Sequence, residues 1–229
     1  MVKMSVIGAG SWGSAFSYYL GRLGFLTKLW VREEEVYADL VETRENRTFL
    51  PGFVFPSTVS FHRVLGETVE GTDLVFIAVP SQYCRLIYSR LAEHLNDGQI
   101  MVSLTKGLEQ KSLKRMTEVM GEVFEVSKKN RIAVLSGPSF AREVAAGQPT
   151  ALVVASSDLN LAREIQETIS SLQLRLYTST DVIGVELSGT IKNVVAIASG
   201  ISEGLGYGNN SRASLITRGL VEITRLGLT

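Results

Sequence analysis

The sequence predicts an α/β fold: a doubly wound, mostly parallel sheet over residues 1–180, followed by an all-helical region over residues 181–229. Three observations carry that expectation. Short apolar, β-branched runs alternate with longer stretches of helical period through the first 180 residues. The run Leu74-Val75-Phe76-Ile77-Ala78-Val79 is apolar on both faces, as a strand buried between two helix layers must be. No strand-like run follows Asp181, where two long helical patterns begin instead.

In chain order the expected strands are 4–7, 27–31, 74–79, 100–104, 132–135 and 151–155, with 174–177 as an edge strand and a weaker strand pattern at 59–61. Between them, 82–95 sets Leu86, Ile87, Leu91 and Leu95 at helical spacing, and 159–172 does the same with Leu161, Ile165, Ile169 and Leu172. The helix expected over 182–202 is apolar almost all round and reads as the buried axis of the helical region. A turn-rich loop, Gly204 to Asn210, separates it from a last helix over 211–226, with Ser211 as the expected cap.

Composition narrows the function. With 23 Lys+Arg against 23 Asp+Glu, the chain lacks the net charge that draws proteins to nucleic acid or anionic lipid, so no nucleic-acid partner is expected. No apolar run approaches the roughly 20 residues that cross a bilayer, so no membrane insertion is expected either. The single Cys84 and two widely separated histidines, His62 and His94, argue against disulfide and metal chemistry and for a reducing cytoplasm. With Met1-Val2-Lys3 running straight into the first expected strand, no signal peptide is expected.

The first chemical motif is Gly8-Ala9-Gly10-Ser11-Trp12-Gly13, placed after a strand and at the start of a helix. There the first glycine allows a tight turn, the second lets the backbone approach a pyrophosphate, and the third permits close helix-to-strand packing, which is a Rossmann-type dinucleotide signature. The second strand ends in Trp30-Val31-Arg32-Glu33. A guanidinium at Arg32 favours the 2′-phosphate of NADP(H), while Glu33 to Glu35 keep the ribose hydroxyl of NAD(H) in play, and a solvated loop charge is the plainer reading of Arg32. Val79-Pro80-Ser81 ends the most hydrophobic strand, at the edge where ligands bind in open α/β sheets. The next strand ends in Thr105-Lys106-Gly107-Leu108-Glu109, so Lys106 reaches the same edge as a point charge for a substrate oxygen or phosphate. In Ser136-Gly137-Pro138-Ser139-Phe140-Ala141, Gly137 permits close backbone approach and the N–H groups near Ser139 suit an anion; a plain helix start is the competing view. Lys192 sits in the apolar helix within Glu186-Leu187-Ser188-Gly189-Thr190-Ile191-Lys192-Asn193. Burial would ease loss of its proton and fit it for acid–base work; snorkelling to the surface or pairing with Glu186 is the alternative.

Together these motifs, in this order, resemble the prokaryotic type of NAD(P)-dependent glycerol-3-phosphate dehydrogenase, as does the run from Glu186 to Leu220 with Gly206-Tyr207-Gly208-Asn209-Asn210-Ser211-Arg212. The resemblance implies a Rossmann domain over 1–180, the N-terminal part of a helical substrate-binding domain over 181–229, and an active site between them. It implies interconversion of dihydroxyacetone phosphate and sn-glycerol 3-phosphate with NADP or NAD, the step that supplies phospholipid synthesis; the cytoplasm stays the expected compartment, and a homodimer is one arrangement the sequence leaves open. By position, Gly8, Gly10, Ser11, Trp12, Gly13, Arg32 and Ala141 match cofactor contacts, Lys106 touches both cofactor and substrate, and Gly137 and Ser139 match substrate contacts. Lys192 matches the proton donor or acceptor. An aspartate and a Ser-Arg-Asn segment of the family would fall beyond Thr229, so the helical domain reads as incomplete and the chain as C-terminally shortened. A related 3-hydroxy-acid dehydrogenase, or a nucleotide-binding module without catalysis, are the alternatives.

Overall fold

The computed structural model describes residues 2–124 and 131–227. The sheet half of the chain runs β1 (Met4–Ile7), α1 (Ser11–Arg22), β2 (Thr27–Trp30), α2 (Glu34–Thr43), β3 (Val59–His62), α3 (Leu65–Val69), β4 (Leu74–Ile77), α4 (Ser81–Ala92), β5 (Ile100–Ser103), α5 (Met116–Val123), β6 (Arg131–Ser136), α6 (Ala141–Ala145), β7 (Thr150–Ala155), α7 (Leu159–Ile169) and β8 (Leu174–Ser179). The helices α8 (Val182–Gly204) and α9 (Asn209–Gly227) follow. All eight strands join one sheet in the order β3-β2-β1-β4-β5-β6-β7-β8, parallel throughout except for the antiparallel β6–β7 pair. The order reverses between β1 and β4, which opens a crevice at their carboxyl ends.

Strand alternation sorts the core into two layers. Val6, Phe76 and Val102 face Phe16 and Leu20 of α1, while Ile7, Val75, Ile77 and Met101 face Ile87, Tyr88 and Leu91 of α4 and Val119 of α5. Every residue of β1, β4 and β5 is buried, and burial on both faces explains why β4 reads as an unbroken apolar run, while β1 and β5 each bury one serine, Ser5 and Ser103. Phe16 meets Phe76 edge-on at 4.9 Å, fixing α1 over the sheet centre. Closer in, a Cβ on Gly13 would land on the Gly8 carbonyl oxygen, so only glycine lets α1 sit this near the turn that follows β1.

Several boundaries differ from expectation for local reasons. β4 stops at Ile77 because Val79 leads into Pro80, which has no N–H to give the ladder; β2 and β5 likewise stop one residue early, at Trp30 and Ser103. α4 begins at Ser81 and ends at Ala92, where His94 N–H bonds back to the Leu91 carbonyl and tightens the last turn. α7 ends at Ile169, since Ser170 and Ser171 turn to bond the start of β8, leaving Leu172 98% exposed.

The helical half brings larger corrections. α8 is not a buried axis: only Glu186 and Gly189 are buried, and Ile183, Val194, Ile197 and Ile201 are exposed. Periodicity reports which faces of a helix favour burial, and among the described residues α8 packs chiefly on α9 and the ends of β6 and β7, with Glu186 reaching the start of α5. By length and composition alone α8 is nonetheless apolar enough to span a bilayer, contrary to the expectation drawn from unbroken runs, for an 18-residue window within its 23 residues reaches a mean hydropathy of 1.3. Counting unbroken apolar runs missed it because Gly, Ser, Thr, Glu186, Lys192 and Asn193 break the run, while its many Val and Ile residues keep the window's mean high. Finally, α9 begins at Asn209 and its first bond runs from Arg212 N–H to the Gly208 carbonyl, so Ser211 lies in the first turn and is not the cap.

The close seating of α1 leads to a direct test. Gly13→Ala should destabilise the fold by about 1–3 kcal/mol, as overpacking does, read as a lower urea midpoint at unchanged m-value.

Candidate active site

The site begins at the turn between β1 and α1. Gly8 holds φ +114°, and a Cβ there would lie 2.9 Å from the Ala78 carbonyl oxygen, so both conformation and space demand glycine. At Gly10 a Cβ would meet no protein atom within 4 Å, because the position opens on the crevice. Protein packing therefore does not require glycine at this position; the room it leaves suits a ligand pressed against the backbone. Gly10 also caps α1 without a side-chain bond, so the first-turn N–H groups, from Ser11 onward, are left to an incoming anion. Asn46 stiffens this cradle. Its buried amide donates to the Ala9 carbonyl and the Ser14 hydroxyl, each at 2.8 Å, and its Oδ1 accepts from Phe49 N–H at 2.9 Å, which brings Phe49 to the crevice wall.

The crevice encloses about 450 Å³, in the range of small-molecule and cofactor sites, and Gly8, Gly10, Ser11, Trp12, Arg32 and Lys106 all line it. Its shape and donors fit a dinucleotide whose diphosphate lies on the α1 terminus. Arg32 stands at one end, bonded through Nε and Nη2 to Glu33 Oε1 at 2.9 and 2.6 Å and stacked over Tyr83 with 5.5 Å to the ring centre. The two residues that sequence reasoning set against each other are thus one ion pair, with an aromatic floor.

At the other end three segments converge. Lys106, just past β5, donates from Nζ to the Ser139 hydroxyl at 2.6 Å and lies 5.9 Å from the Trp12 ring centre. Ser139 in turn donates to the Gly137 carbonyl at 3.3 Å. Gly137 holds φ +145°, and a Cβ there would press on Leu152 at 2.9 Å. From α8 comes Lys192, half-buried, with its ammonium beside that of Lys106. Burial first, and the Lys192 charge second, push the Lys106 ammonium down to about 8. Gly13 and Ala141 stand behind this surface: Gly13 seats α1, and Ala141 opens α6 and packs against the core.

Glu186 does not turn to Lys192. Its buried carboxylate accepts from Thr117 N–H at 2.9 Å, the Thr117 hydroxyl at 2.6 Å and Arg115 Nη1 at 2.9 Å, all at the start of α5. Sequence reasoning also passed over Asn46, Phe49 and Tyr83. Tyr83 had a faint signal, two residues past Val79-Pro80-Ser81 at the sheet edge; Asn46 and Phe49 lie in a segment without periodicity.

Known proteins match along the whole chain. Residues 3–162 match the model of the NAD-dependent glycerol-3-phosphate dehydrogenase N-terminus, and residues 181–229 match the model of its C-terminus. Glycerol-3-phosphate dehydrogenase (NAD(P)+) of Koribacter versatilis is 46% identical over 229 residues, 100% of this chain and 68% of that protein. The protein of the same name from Syntrophotalea carbinolica is 45% identical over 99% of this chain and 68% of its own length. The crystal structure of glycerol-3-phosphate dehydrogenase from Coxiella burnetii superposes with a TM-score of 0.89 at 37% identity, covering 98% of this chain and 68% of that one. With the glycine cradle, the paired lysines and these relatives in agreement, the chain belongs to the NAD-dependent glycerol-3-phosphate dehydrogenase family.

Proposed function

We propose that this chain is an oxidoreductase that takes NADP(H) or NAD(H) into the crevice over Gly8 to Gly13 and interconverts dihydroxyacetone phosphate and sn-glycerol 3-phosphate, supplying the latter for phospholipid synthesis. The observation that carries the reading is the meeting of Lys106, Ser139 and Lys192 at the mouth of the glycine-lined crevice. The family match supports it over a 3-hydroxy-acid dehydrogenase and over a nucleotide-binding module without catalysis.

The nicotinamide, when bound, exchanges hydride with C2 of the substrate. The chain's own residues do the rest. N–H groups of Ser11 and Trp12 receive the diphosphate, and Arg32, held by Glu33 and Tyr83, meets the adenosine ribose or its 2′-phosphate. Ala141 backs the cofactor from α6. Gly137 and Ser139 hold the substrate, the glycine by letting backbone approach and the serine through its hydroxyl. Lys106 places positive charge beside the oxygen on which negative charge develops, in a half-buried space where such charge counts for more than in water. Lys192 gives a proton to that oxygen as dihydroxyacetone phosphate is reduced, and takes the hydroxyl proton back in the reverse direction.

The reading extends to a water-facing, cytoplasmic homodimer. Tethering of Glu186 to α5 and the seating of Lys192 at the crevice favour a water-facing α8 over a membrane-inserted one. Exposed apolar residues along α8 and α9 favour a homodimer, and the free, buried Cys84 suits a reducing compartment.

Purified protein should oxidise NADPH when dihydroxyacetone phosphate is added, and Lys192→Ala should lower kcat by a factor on the order of 10²–10⁴ while NADPH binding stays within about twofold. Full turnover in that variant would remove Lys192 from the proton step. Arg32→Ala should weaken NADPH about tenfold more than NADH, as loss of a charge-assisted phosphate contact does; equal losses in titration calorimetry would refute the contact. Gly10→Ala separates cradle from scaffold: it should change stability by no more than about 1 kcal/mol, yet weaken both dinucleotides at least tenfold in the same titration.

A further inference from the structure

We propose that Glu186 is a positioning residue, a latch from α8 onto the start of α5 that sets where Lys192 stands relative to Lys106. The placement stands on geometry alone; its consequence for turnover rests on the reading above.

α8 has only two buried residues with which to hold its place on the sheet half, Glu186 and Gly189. Gly189 presses against β6, where a Cβ would overlap the Ser136 hydroxyl, so it permits close approach without fixing direction. Glu186 supplies the direction. Its two carboxylate oxygens accept three hydrogen bonds, from Thr117 N–H, the Thr117 hydroxyl and Arg115 Nη1, and its side chain is only 5% exposed. Thr117 is the second residue of α5, where the N–H has no partner within its own helix, so Glu186 caps α5 from another helix. α8 does not need Glu186 for its own cap, since Asp181 accepts from Gly184 N–H at 2.8 Å.

The other end of the latch leads to Lys106. Arg115 closes a β-bridge with Leu108, two residues past Lys106, and Glu109 N–H bonds the Lys114 carbonyl at 2.9 Å. Arg85 clamps the same loop through Glu109 at 2.7 Å, holding that carboxyl down to about 2. One carboxylate therefore ties the loop that carries Lys106 to the helix that carries Lys192, which lies six residues on, about 9 Å along the axis. A buried ion pair is weak evidence of net stability, because an apolar pair of the same size often serves as well. What an apolar pair lacks is direction, and two ammonium groups set side by side need a fixed spacing.

The test reads Lys106 directly. Each lysine is labelled with an amine-reactive acylating reagent across a pH series, and the modified peptides are quantified by mass spectrometry in wild type, Glu186→Gln, Thr117→Val and Thr117→Ser, with folding checked by circular dichroism. The groups facing Lys106 are Ser139, Trp12 and Lys192, so its midpoint reports first its burial in this space and second the nearness of Lys192, both of which relax when α8 is displaced. In wild type that midpoint should fall near 8. Glu186→Gln should raise it by about one pH unit or more, and Thr117→Val by less, while Thr117→Ser, which keeps both donors, should match wild type. Alongside, kcat should fall on the order of 10- to 100-fold in Glu186→Gln with NADPH affinity unchanged. An unshifted Lys106 midpoint in folded Glu186→Gln overturns the latch, even where stability or turnover drops. Should Glu186→Gln fail to fold, Thr117→Val decides on the same criterion. A wild-type chain without turnover would instead count against the proposed reaction, and the labelling result would still judge the latch.

Discussion

Lys106 and Lys192 bring like charges into one half-buried space, and such a pair persists only if the backbone that delivers each of them is held firmly. Much of the described structure can be understood as the means of holding them. Lys106 leaves β5 at the carboxyl edge of a sheet whose central strands are buried on both faces, so its starting point is as rigid as the core. Lys192 arrives from α8, whose contact with the sheet half is narrow. Burial first, and the neighbouring Lys192 charge second, lower the Lys106 ammonium to about 8, so the cost of the arrangement and its chemistry have one source.

The crevice follows from topology. In a parallel sheet wound both ways from β1 and β4, the loops after these strands diverge to opposite faces and leave a gap between them. Glycine then decides how that gap is lined. Gly8 and Gly13 are needed by the protein itself, one for backbone conformation and one for helix seating, whereas Gly10 faces open space. That contrast separates a structural turn from a ligand cradle. Asn46 completes it from a distant stretch of chain, tying Ala9, Ser14 and Phe49 together through one side-chain amide.

The sheet was legible because each strand wrote its burial into its own residues. All eight expected strands are present, and their ends moved where a proline or a loop bond intervened, as at Pro80. The helical half was legible in element type and not in environment. The apolar pattern of α8 forecast a buried axis, yet burial belongs to pairs of surfaces, and among the described residues α9 covers only part of it. At the site, Lys106, Ser139 and Gly137 were readable as strand-end residues, and the structure brings them together. Asn46, Phe49 and Tyr83 were not, because a wall residue is defined by what it faces across the crevice.

By itself the sequence determined the class of fold, the glycine turn and the chemical groups on offer: a guanidinium, two ammonium groups and a serine hydroxyl at strand and helix ends. These are local properties, set by periodicity, conformational freedom and side-chain chemistry within a few residues. Tertiary structure alone decided the pairings. Arg32 joined Glu33 over Tyr83, Lys106 joined Ser139 and Lys192, and Glu186 went to Thr117 and Arg115 although Lys192 lay nearer in sequence. The physical reason is that hydrogen bonds and charge interactions fall away within a few ångströms, so a group's partner depends on which segments folding brings within that reach.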